Sequence, residues 1–144
     1  MILRRSFLTK LGQAFTLLGL GAVASKTYAA SEEDKTSSEF YHVVYFWMKN
    51  PDNAAEQESF LKSIRPFLAA CEKDKLFTRK PYLGKPAGTP RDVVDNSYTY
   101  NLVCTFKSAT EQNVYQEHAA HKKFVADSST LWTKVQVYDS ITLV

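Results

Sequence analysis

Residues 39–49, EFYHVVYFWMK, constrain the fold more than any other stretch. Their β-branched and aromatic content marks a strand. With side chains alternating at period two, Tyr41, Val43, Tyr45 and Trp47 point one way, and His42, Val44, Phe46 and Met48 point the other. Both rows are apolar, so both faces of this strand must be covered. A sheet backed by helices covers one face only. The other needs a further layer, which a small domain does not supply from its own chain.

The remaining elements follow from period and punctuation. Asn50-Pro51-Asp52 ends the strand, and a helix is expected from Asp52 or Asn53, with Glu56 at capping-box spacing. Phe60, Leu61, Ile64, Phe67, Leu68 and Cys71 form one apolar stripe running to about Lys73. Pro66 interrupts that stripe without shifting its phase, which predicts one bent helix. A weaker strand, LFTRKPYL, spans residues 76–83, with Pro81 marking an edge. Residues 84–96 are a loop of turn formers. Residues 97–107 alternate as a strand, with Tyr98, Tyr100, Leu102, Cys104 and Phe106 on one side. Ser108 and Glu111 open a second helix to His118, a further helical segment covers 119–132, and residues 133–143 form the last strand, with Val135 and Val137 on one side.

The order β-α-β-β-α-β is the ferredoxin-like α+β plan, an antiparallel sheet with its helices on one face. The uncovered apolar face is most simply closed by a second copy, giving a two-fold homodimer with a barrel between the sheets.

The first thirty residues stand apart. Arg4 and Arg5 precede an apolar run from Leu11 to Ala24 and small residues at Ala29 and Ala30, the order of an export signal. RRSFLTK resembles the twin-arginine type, with Leu3 in place of the usual hydroxyl residue. The run is shorter than the roughly 20 residues of a membrane-spanning helix. The expectation is therefore a signal peptide at 1–30, a polar linker at 31–38, a domain at 39–144, and a periplasmic or secreted product with no membrane anchor after cleavage. Residues 1–30 hold four of the 18 Lys and Arg and none of the 15 Asp and Glu, so the rest carries a net −1. That balance excludes a nucleic-acid partner. Cys71 and Cys104 both fall on apolar faces and read as buried thiols, with a disulfide open as the alternative in an oxidising compartment.

The chemistry-bearing residues are the three histidines and one tyrosine. YQEHAAHKKF places Tyr115, His118 and His121 three apart, and His42 lies on the first strand. Tyr115 and His121 would face different sides of a straight helix, and a break near Ala119 brings them together. His42 and His121 would then supply imidazole for proton movement, and Tyr115 a phenol for a developing oxyanion. The competing reading makes His118 a helix cap, Tyr115 a packed core ring and His42 a backbone-bonding strand residue. A zinc site is the weakest reading, because no cysteine or carboxylate stands at ligand spacing. No metal or cofactor is expected.

These residues resemble the stress-responsive A/B barrel domain family of dimeric α/β barrels. The resemblance runs over residues 40–140. It is carried by His42-Val43-Val44 with Phe46, by Tyr98-Thr99 through Thr105-Phe106, and by Tyr115 through Val125 followed by Val137-Tyr138-Asp139. The family usually has proline between the two histidines, where this chain has Ala119. The resemblance implies a homodimer, and most members have no assigned reaction. Related barrels degrade heme, which nothing in this chain beyond the fold supports. One plant branch, similar to olivetolic acid cyclase, implies His42, Tyr115 and His121 as reacting residues. The expected ligand is small and apolar or aromatic, lined by His42, Phe46, Tyr115, His118, His121 and Phe124. The expected function is a ligand-binding or stress-response module of unassigned reaction, with a polyketide-cyclase-like or isomerase-like proton-transfer enzyme as the alternative.

Overall fold

A computed structural model describes residues 38–143, and the expected signal peptide lies outside them. The elements are β1 (Phe40–Met48), α1 (Ala54–Lys73), β2 (Tyr82–Gly84), β3 (Tyr100–Phe106), α2 (Ala109–Glu117), α3 (Ala119–Ser128) and β4 (Trp132–Ile141). The strands order as β2-β3-β1-β4, every neighbour antiparallel, which is the ferredoxin-like sheet.

The period-two alternation of β1 sorts its side chains as expected. His42, Val44, Phe46 and Met48 are buried under the helices, and Tyr41, Val43, Tyr45 and Trp47 are half-buried on the outer face. Phe60, Ile64, Phe67, Leu68 and Cys71 of α1 close on the first row, with Leu102, Cys104 and Phe106 of β3 beside it. Phe60 and Ile64 are fully buried, each contributing about 1.5–3 kcal/mol relative to exposure. α1 runs unbroken through Pro66, which lies exposed, so the lost donor falls on the solvent side. Asn53 caps it by accepting from the amides of Ala55 and Glu56. Glu56 does not complete the box: its carboxylate takes the Asn50 side-chain amide at 2.7 Å instead.

Three boundaries differ from expectation. The strand expected at 76–83 shrinks to Tyr82–Gly84. Pro81 cannot donate to a ladder, and Leu76 and Phe77 turn into the core instead. β3 starts at Tyr100, opposite Phe46, so the alternation does not reach Tyr98. Tyr98 lies on the outer face against Tyr45, ring centres 4.8 Å apart. The last helix ends at Ser128, four residues before the expected end at 132.

The outer face is an open groove of about 570 Å³ lined by Val43, Tyr45, Trp47, Asp95, Tyr98 and Tyr138. The Lys134 ammonium sits 4.2 Å over the Trp47 ring. Tyr138 is 59% exposed.

Candidate functional site

The helix layer breaks at His118, whose backbone (φ −62°, ψ 134°) is extended between two helical neighbours. Its side chain accepts from the Ala120 amide through Nδ1 at 3.2 Å and so caps α3. With Nδ1 an acceptor, Nε2 carries the proton and donates to Asp74 at 3.0 Å. Cys71 lies 3.8 Å from the same Nδ1. Both ring nitrogens of His118 are thus taken up, by Asp74 and by the Ala120 amide.

The break brings Tyr115 and His121 together, their ring centres 4.8 Å apart. Tyr115 is 1% exposed and is the hub of the site. Rings of His42 (5.6 Å), Phe67 (5.5 Å), Phe77 (5.9 Å) and Phe106 (5.0 Å) surround it. Phe124 stacks on Phe67, and Phe46 lies deeper, against Phe60 and Trp132, as part of the core. Of the residues singled out from the sequence, His42 and His121 each meet Tyr115, while His118, Phe46 and Phe124 stand outside that contact.

Asp139, marked in the sequence only as part of the Val137-Tyr138-Asp139 stretch of the family resemblance, joins the site. β1 pairs with β4 so that His42 faces Asp139, and Nδ1 of His42 lies 2.7 Å from the carboxylate. That oxygen can only accept, so the His42 proton sits on Nδ1 and its Nε2 presents a lone pair. His121 is fixed in the same sense, donating from Nδ1 to the Gln116 carbonyl at 3.1 Å.

Electrostatics follow from burial. Burial holds the His121 imidazole below its ordinary range, and the nearby His42 and His118 add to this against the opposing Gln116 carbonyl. Burial pushes the Tyr115 phenol well above its usual value, with Cys104 and Cys71 next to it contributing. The Cys71 thiol is pushed up to about 11 by burial and by Asp74. Cys104 is pushed up to about 12, chiefly by burial. Both cysteines are free and buried, so the disulfide alternative is not formed here. A thiol reagent added to the native, reduced protein is expected to react with neither, and with both after denaturation. Rapid native labelling would show that the core opens readily.

His121 also sets a pH dependence. Its folded value lies below the unfolded one, so the unfolded chain takes up the proton first. Its contribution is present above the unfolded value of about 6.5 and is lost as pH falls through the folded value. The urea midpoint is therefore expected to drop more between pH 7 and 5 in the parent than in His121→Gln.

Among the described residues no three His, Cys, Asp or Glu side chains converge as a metal set requires.

Comparison with known proteins places this fold. No curated protein matches the chain. A Dabb family protein with a ferredoxin-like fold from Mesorhizobium loti is 20% identical, covering 74% of this chain and 98% of its own, with a TM-score of 0.59. A dimeric ferredoxin-like protein of unknown function from Thermobifida fusca is 13% identical over 74% and 93%, with a TM-score of 0.58. The hydroxynitrile lyase of Passiflora edulis is 12% identical over 74% and 94%, with a TM-score of 0.57. At these identities the likeness is one of fold. The family profile of the stress responsive A/B barrel domain matches residues 40–142, and by that match the chain belongs to this family.

Proposed function

We propose that the protein is an exported homodimer that binds a small, mostly apolar ligand against the His42–Tyr115–His121 cluster. One observation carries the reading. Two imidazoles, each with its Nδ1 proton committed and its Nε2 left as an acceptor, both stand against the Tyr115 ring in a setting otherwise made of aromatic rings. A binding site of this kind is mostly apolar with a few fixed polar groups. Pairing is supported by the apolar outer face of the sheet and by the dimeric description of the Thermobifida fusca protein. Export is supported by the charge–apolar–small order of residues 1–30, which also favours a periplasmic or secreted product.

The Asp139–His42 pair favours a second reading, proton transfer. A carboxylate on Nδ1 orients the ring and stabilises the imidazolium that forms when Nε2 takes a proton. Tyr115, the one hydrogen donor of the cluster, would hold the negative charge that develops on the substrate. The hydroxynitrile lyase has the same fold, so the fold accommodates an enzyme.

Native mass spectrometry of the leader-free protein is expected to show two chains with a retained small molecule. For proton transfer, deuterium wash-in at the α-carbon of small ketones is followed by NMR. Asp139→Asn is expected to lower that rate by about 10²-fold or more. An unchanged rate in Asp139→Asn sinks the enzyme reading and leaves the binding reading standing.

A further inference from the structure

We infer that the helix-side face of β4 seats an aliphatic chain, and that the ligand is a neutral, single-chain amphiphile with a hydrogen-donating head. The inference rests on the proposed binding at the His42–Tyr115–His121 cluster and names the class of molecule bound there.

The seat follows from the register of the sheet. Val135 pairs with Phe46, Val137 with Val44 and Asp139 with His42, so all three β4 side chains lie on the helix side. Their β1 partners are covered: Phe46 is 3% and Val44 5% exposed. Val135 and Val137 are 38% and 40% exposed. The helix layer therefore shields β1 and stops short of β4. What remains open is an aliphatic strip along one strand. At strand spacing, Val135 to Asp139 spans about 13 Å.

The strip is continuous with the site. It ends at Asp139, whose Oδ1 holds His42 and whose side chain is 45% exposed. Two partly exposed valines offer far less than the roughly 800 Å² per partner that a stable contact between copies buries. A narrow hydrocarbon chain fits the strip, and a protein surface does not.

The head follows from the polarity of the cluster. Nε2 of His42 and Nε2 of His121 present lone pairs, because each Nδ1 proton is already committed. Asp139 presents its second carboxylate oxygen. Tyr115 is the one hydroxyl among them. Acceptors outnumber donors there, so a donor is what a bound head can add. A hydroxyl head satisfies an imidazole Nε2. A carboxylate head would meet lone pairs and the like charge of the Asp139 carboxylate, with no hydrogen to offer either.

The test uses leader-free protein and the linear alcohols from 1-butanol to 1-octanol, with 1-methoxyalkanes and octanoate as controls. NMR follows the His42 and His121 imidazole signals. Affinity is expected to rise about fourfold per methylene. The ethers should bind at least about tenfold more weakly, at the scale of a lost hydrogen bond, and octanoate should not compete. Val135→Ser combined with Val137→Ser should flatten the chain-length increment, and because both sites are partly exposed the fold survives. Octanoate binding as tightly as octanol overturns the head assignment. A flat increment in the parent overturns the seat, and butanol shifting the same signals would then keep the binding site itself. No response to any probe removes both. A double variant that alters self-association but keeps the increment assigns the strip to contact between copies and overturns the proposal.

Discussion

Tyr115→Ala is expected to cost about 3–5 kcal/mol, the range for emptying a buried aromatic site. Tyr115 is 1% exposed and its ring touches aromatic or imidazole rings from β1, α1, β3 and α3, so no single element can move in to fill the void. A loss of that size is a large part of the 5–15 kcal/mol that holds a typical domain folded. Urea unfolding followed by tryptophan fluorescence measures it. Tyr115→Phe separates packing from chemistry. It keeps the ring and gives up only the hydroxyl beside Cys104, a change of about 1 kcal/mol. If the hydroxyl serves a reaction, Tyr115→Phe should stay folded and lose turnover. A loss of stability in Tyr115→Phe close to that of the Ala variant would show that the ring packing described here does not hold the core.

Val43→Asp is expected to separate the proposed dimer. Val43 stands on the outer face of β1, one of the two inner strands, flanked by Val103 of β3 and Tyr138 of β4. A two-fold pairing through that face buries two new carboxylates at once. An unpaired buried charge costs several kcal/mol after relaxation. Since each 1.4 kcal/mol is tenfold, the dissociation constant should rise by about 10³-fold or more. The protomer's own fold should be spared, because Val43 points away from the helix-side core. Sedimentation of both proteins across concentration decides it. A variant as dimeric as the parent would place the pairing surface elsewhere.

How far the sequence could be read depended on whether a signal was local. β1 was legible because its two apolar rows lie within nine residues, and the structure separates those rows into buried and half-buried sets. The stripe of α1 kept its phase across Pro66, and the helix is continuous. Residues 76–81 misled because LFTRKPYL has strand composition, yet Leu76 and Phe77 satisfy themselves by packing inward without a ladder. Tyr98 misled because alternation alone cannot say where pairing stops, and β3 begins two residues later.

The site was half legible for the same reason. The meeting of Tyr115 and His121 required only a break between them, which spacing suggested. Asp139 required the β1–β4 register, a pairing across 97 residues that no local pattern encodes. The open face of β4 was invisible as well. Val135 and Val137 look in sequence like any covered alternating pair, and their exposure is set by where the helices end.

The extended backbone at His118 has a consequence for how chains of this kind are compared. A residue preceding proline is pushed to this same conformation, and proline is well suited to the first position of a helix. Here Ala119 occupies that first position of α3, and His118 already adopts the required angles while capping the helix itself. A chain with proline at 119 and a chain with alanine there can trace one path. The letter at 119 is then the one the geometry can spare, and the histidine before it, which caps α3, is the one it cannot.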